Sequence, residues 1–233
     1  CGKKATAAHA LTCSKGGLVL VRHEDQNREW GALGATALTQ SAVTYEPSIY
    51  SGRTAQKNGA EEPAAAAGGE AGTGQPRTLP PKEDRGDVAL HGFWKRGTTA
   101  IFDCRITCLD APTYNGCEPD AVLKEAEKAK KSKYLQACLE RRRSFTPLVY
   151  SADGMPGEEA LAAEKRMASL LAQSMQREYS EMCGFVRQRM ALALARSNTL
   201  LLRGARDHSN PLRRRPDMED GAGMELLRPR QDD

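Results

Sequence analysis

Residues 87–107 read DVALHGFWKRGTTAIFDCRIT, and the fold turns on how that stretch pairs. Val88 to Phe93 and Thr99 to Thr107 are β-prone runs, and the Lys95-Arg96-Gly97 between them has hairpin composition, which predicts two strands and a turn. Side chains alternate along a strand, so Asp103 and Arg105 share one face while Phe102, Cys104 and Ile106 share the other. A charged pair therefore projects from a strand whose reverse is apolar. Asp87 opens the first strand, and a hairpin or adjacent pairing brings its carboxylate towards that of Asp103. Two carboxylates close enough to repel invite a divalent cation, and hard oxygen ligands favour Mg²⁺ or Mn²⁺. The same spacing also fits two surface aspartates at strand ends.

The segment downstream shifts that balance. Residues 119–143 predict a helix that begins at Pro119 and ends in Arg141, Arg142 and Arg143, cations suited to a helix C-terminus. With Leu123 at zero and about 100° per residue, Lys130 and Tyr134 both fall within roughly 20° of the inward stripe. Lys131 and Lys133 point to either side. A lysine aimed at acidic groups on a sheet can orient an attacking water or neutralise a scissile phosphate. The alternative is a stem that snorkels to solvent.

Further along, Phe145 to Ser151 predicts an apolar strand ended by Asp153-Gly154. Two helices follow, 157–179 with Ala163, Met167, Leu170 and Leu171 on one face, and 181–203 with Met182, Val186, Met190, Ala193 and Leu194 on one face. Upstream, Trp30, Leu33, Ala37 and Leu38 predict a short amphipathic helix over 22–39, after a Gly16-Gly17 turn. Glu46-Pro47-Ser48-Ile49-Tyr50 reads as extended chain. The order helix, strand, strand, helix, strand, helix, helix gives an α/β chain of the α+β kind, a small mixed sheet flanked by helices.

Composition sets the domain boundaries. Residues 52–84, with Ala64 to Ala67, repeated Gly, and Pro63, Pro76, Pro80 and Pro81, predict a disordered low-complexity linker; the polar tail 205–233 is expected to be disordered too. Ordered parts are then 1–22, 23–51 and 85–204. The formal net charge is only +4, but residues 121–143 carry eight Lys or Arg against three Glu, a pattern that suits phosphate contacts or a solvated helix face. Seven scattered cysteines point to reduced thiols in the nucleus or cytoplasm and against secretion. No apolar run approaches the ~18 residues of a membrane span.

Taken together, Arg85-Gly86-Asp87, Asp103-Cys104-Arg105 and Lys130-Lys131-Ser132-Lys133-Tyr134 resemble the PD-(D/E)-x-K nucleases. They look closest to the restriction-endonuclease-like version at the C-terminus of site-specific non-LTR retrotransposon polyproteins, in which the lysine sits on a downstream helix near a tyrosine. Cys1, His9 and Cys13 resemble the last three ligands of that family's Cys-Cys-His-Cys zinc knuckle, Arg22-His23 its Arg-His step, and Phe145 to Gly157 a polyprotein segment of the same kind. The likeness covers about residues 1–50 and 85–206. It implies a fragment of a longer product that nicks chromosomal DNA with Mg²⁺ or Mn²⁺ on Asp87 and Asp103, helped by Arg105, Lys130 and Tyr134, with Glu46 as an additional acid. The freed 3′ hydroxyl would prime reverse transcription of the element's own RNA, by a polymerase outside this chain, since no Tyr-x-Asp-Asp sequence is present. Three zinc ligands make an incomplete structural site, because such sites are normally four-coordinate. The chain departs from the pattern at Gly86, where the family has proline, at Arg105 in the third motif position, and in a slightly longer spacer. Two other classes stay open: a nuclease fold decayed to a nucleic-acid-binding module, and a helical interaction protein working through residues 157–203.

Overall fold

A computed structural model of the chain describes residues 6–15, 17–49 and 85–204. Cys1, Tyr50, the 52–84 linker and the 205–233 tail lie outside the described residues. The elements are helices α1 (Ala7–Thr12) and α2 (Leu18–Ala37), strands β1 (Val43–Tyr45), β2 (Val88–His91) and β3 (Thr99–Thr107), helix α3 (Pro119–Leu139), strand β4 (Ser144–Ser151), and helices α4 (Glu158–Met175) and α5 (Tyr179–Gly204). They form a mixed four-stranded sheet in the order β1-β2-β3-β4, with helices on both faces.

The predicted hairpin is present, with β2 antiparallel to β3 in the register Val88↔Phe102 to His91↔Thr99. Gly97 closes the turn at φ +80°, a conformation costly for any residue with a Cβ. β4 lies parallel to β3, Ala100↔Ser144 through Thr107↔Ser151, so the chain needs a crossover, and α3 provides it. The expected elements are longer or shorter at their ends. α2 starts at Leu18 rather than residue 22, and β2 stops at His91 because Gly92 turns the chain at φ +85°. α3 ends at Leu139, since Arg142 takes φ +55° and the Arg143 N–H returns to the Cys138 carbonyl; the three arginines follow the helix instead of closing it. Two elements were absent from the predicted order. α1 is a short helix whose Thr6 side chain accepts from the His9 N–H, and β1 pairs antiparallel with β2, Val43↔Leu90 to Tyr45↔Val88.

Alternation along the strands divides the core in two. Val88, Leu90, Phe102, Cys104, Leu148 and Tyr150 join Trp30 and Leu33 of α2, Met167 and Leu171 of α4, and Met182 and Val186 of α5. Trp30, Phe93 and Phe102 meet at ring separations of 5.0–5.9 Å in tilted or edge-on geometries, the arrangement that aromatic quadrupoles favour. On the reverse, Ala89, Ile101 and Phe145 pack beneath Tyr134 and Cys138 of α3, and Val149 packs beneath Leu123 and Ala126. Asp87, Asp103 and Arg105 have the parity of this second face, so α3 roofs the charged side chains as well as the apolar ones.

Ser48 bridges Arg85 in antiparallel fashion, and the Gly86 N–H donates to the Pro47 carbonyl at 2.9 Å. The chain therefore leaves for residues 50–84 and returns from them at one point. Gly86 stands there for a steric reason, because a Cβ on it would overlap the buried Ile101 Cγ2.

Candidate active site at the end of strand β2

The site arises from unequal strand lengths. β2 pairs with β3 no further than Val88↔Phe102, after which Asp87 donates its N–H to the Phe102 carbonyl at 2.9 Å. β3 continues to Thr107, so the backbone of Cys104 faces a notch where a neighbouring strand has run out. Backbone groups in such a place need partners. Two side chains supply them. Asp87 Oδ2 accepts from the Cys104 N–H at 2.6 Å, and His23 Nε2, reaching in from α2, lies 3.2 Å from the Cys104 carbonyl. The imidazole and carboxylate also meet each other, His23 Nε2 to Asp87 Oδ2, at 3.0 Å. Asn27 Nδ2 sits 3.2 Å from His23 Nδ1 one helical turn on. That network fits a tautomer with the proton on Nε2, donated towards Asp87 and Cys104, and with Nδ1 accepting from Asn27.

Asp103 lies on the adjoining strand, and its carboxylate is nearly buried, at 7% exposure. Lys130 of α3 places Nζ 2.5 Å from Asp103 Oδ2. The contact is a close ion pair within a largely buried setting. Tyr134, one turn further along α3, packs its ring on Phe145 at 5.6 Å and takes Lys133 Nζ over its face at 4.8 Å and Lys130 Nζ at 5.9 Å. His23, Glu46, Arg85, Gly86, Asp87, Asp103, Lys130 and Tyr134 together line one cavity of about 180 Å³.

The electrostatics separate the two acids. Burial works against charge on Asp87, but the His23 hydrogen bond and charge, the Cys104 N–H and Lys130 outweigh it and hold the carboxyl below its ordinary range. For Asp103, burial and then the charge of Asp87 push the carboxyl up to about 6, against the pull of Lys130. Asp87 and Asp103 line the same cavity, so the charge of one bears directly on the other. Burial also opposes charge on His23, and the hydrogen bond and charge of Asp87 overcome it, so the imidazole is raised. Asp103 is thus a buried carboxyl oxygen, paired with Lys130, beside a second carboxylate that is held ionised. Those are suitable donors for a hard divalent cation. Among the described residues no group of three His, Cys, Asp and Glu could hold a metal, so an ion here would take further ligands from water and substrate, as Mg²⁺ commonly does.

The other expected site residues fare differently. Glu46 reaches the cavity, but Arg85 Nη1 lies 2.5 Å from its Oε2 in an ion pair, and the side chain is 62% exposed. Arg105 shares the face of Asp103 yet lines a separate cavity of about 380 Å³ with Tyr114 and the first turns of α3, apart from the cavity that the other five line. Strand parity set its face; position along the strand carried it past the site. Three lysines of the basic stretch, Lys124, Lys128 and Lys131, are engaged by Glu158, Glu125 and Glu159, so much of that helix's charge is met internally. His9 and Cys13 occupy i and i+4 positions at the end of α1, whereas Cys1 lies outside the described residues. His23 was not among the residues expected in the cavity. Its only sequence signal was the Arg-His step, because its contact with Asp87 depends on where β2 ends.

No protein-family model matches the chain, and no match is found among curated proteins. Among the described residues, no helix is long and apolar enough to cross a membrane, and the six described cysteines are free thiols.

Proposed function

We propose that the chain is a divalent-metal-dependent DNA endonuclease with a restriction-endonuclease-like core, derived from a retrotransposon polyprotein and suited to nicking target DNA for target-primed reverse transcription. One observation carries the reading: Asp87 just before β2, Asp103 of β3 and Lys130 of α3 line a single small cavity. A pair of aspartates more than about 8 Å apart could not share a cation, and these two line the same cavity of about 180 Å³. Mg²⁺ or Mn²⁺ bound by Asp87 and Asp103 would activate a water and offset negative charge on the scissile phosphate.

The residues of the chain do the rest. The Cys104 N–H and His23 fix the Asp87 carboxylate at the start of β2, the kind of outer support that aligns a ligand before substrate arrives. Lys130 turns its ammonium to Asp103 and is within reach of a phosphate entering the same cavity, where it would oppose developing charge. Tyr134 forms the apolar wall that steers the lysine stem. The DNA strand and the parent element's RNA are the expected partners.

Supercoiled plasmid with Mg²⁺ should be converted to nicked circles, and Asp103→Ala should lower the rate by at least ~100-fold, since a ligand and its aligned water are both lost. EDTA should abolish the reaction. Intact plasmid with wild-type protein and either metal would leave a binding module without catalysis.

A further inference from the structure

The cavity beside the site holds a cation that the fold leaves unused. Arg105 is half-buried on β3 and makes no ion pair or side-chain hydrogen bond among the described residues. Its neighbours on α3 contrast with it: Lys124, Lys128 and Lys131 are each held by a glutamate. Glu125 lines the same cavity, but its carboxylate turns to Lys128 Nζ at 3.5 Å. A guanidinium left without a carboxylate, facing a cavity of about 380 Å³, is an unfilled anion site.

The remaining lining defines what accompanies the anion. Val122 and Ala126 form an apolar floor, Ala121 leaves the helix side open, and Tyr114 stands at the edge. Such a surface accepts a flat ring or a sugar with a phosphate beside it, and a tyrosine offers a face for stacking. Position adds the third constraint. Arg105 is two residues past Asp103 on the same strand face, a separation of about 7 Å that one nucleotide of an extended strand can span.

We propose that this cavity is a nucleotide subsite, in which Arg105 binds the phosphate next to the one held at Asp87 and Asp103, and the floor of α3 receives the attached base or sugar. It rests on the endonuclease reading for its neighbour, while the subsite itself is a matter of binding. Arg105 is then a substrate-positioning residue that never touches the reacting phosphate.

Binding of a fluorescein-labelled single-stranded oligodeoxynucleotide, followed by anisotropy in EDTA at fixed salt, tests it without any cleavage. Arg105→Gln should weaken binding about 10-fold. Ala121→Trp, at an exposed helix position, fills the cavity without changing charge and should weaken it to a similar degree. Lys165→Gln, an exposed cation on α4, supplies the change expected from net charge alone. If Ala121→Trp binds like wild type, or if Arg105→Gln loses no more than Lys165→Gln, the subsite is wrong. A protein that binds through Arg105 but never nicks plasmid would overturn the endonuclease reading alone. A protein that nicks but is indifferent to both cavity variants would overturn the subsite alone.

Discussion

A proline at position 86 would restore the pattern that the chain resembles, yet it would damage this molecule twice. The Gly86 N–H donates to the Pro47 carbonyl, and proline has no N–H to give. The added Cβ would also be driven into Ile101 Cγ2, in a core position where the neighbour has nowhere to go. A lost hydrogen bond and local overpacking together are expected to cost about 2–4 kcal/mol for Gly86→Pro, read as a lower urea midpoint with an unchanged slope. A midpoint equal to wild type would show that the approach of Ile101 is not limiting. Gly86 is therefore fitted to its surroundings, and its departure from the family pattern does not by itself speak for decay. The carboxylate pair was legible in the sequence at this scale because period-two alternation sets the face of a strand residue. Distance along that face was not, and so Arg105, expected beside the two carboxylates, lines the neighbouring cavity instead.

Helix α4 begins without a side-chain cap of its own, since its N-cap is Gly157. Another element makes up the lack. Glu127 of α3 accepts from the Glu159 N–H at 3.0 Å, and Lys131 pairs with Glu159 one turn along. Gly157 is what allows the approach, because a Cβ there would overlap the Glu127 carboxylate. Glu127→Ala should thus behave as a lost N-cap and cost about 1–2 kcal/mol, with amide exchange quickening first in the opening turn of α4. Uniform quickening over the whole chain would argue against a local cap. The long elements were legible: apolar residues at helical spacing located α2, α4 and α5, and the same phase turned Lys130 inward, where it meets Asp103. β1 was not, because its three residues carry too little pattern and owe their form to pairing with β2, far along the chain. His23 stayed hidden for a related reason, since no local feature of α2 says that β2 will begin only at Val88.

At the scale of the molecule, the pairing of Ser48 with Arg85 means that residues 50–84 leave and return at one place. The cost of closing such a loop changes by only about 0.6 kcal/mol for each twofold change in length. Replacing residues 52–82 with a short Gly-Ser linker is accordingly expected to keep the thermal midpoint within a few degrees, together with whatever metal-dependent nicking the full chain has. Collapse of the fold on excision would mean that those residues carry contacts of their own.

The division of the cavity between distant parts of the chain also has a consequence in time. His23 is synthesised before Asp87 and Asp103, Lys130 after them, and α4 and α5 later still, although these two helices help to bury Trp30 and one face of the sheet. A chain released before α3 lacks Lys130 and Tyr134 and cannot assemble this cavity. On this topology the cavity is completed only once α3 has been made and packed on the sheet.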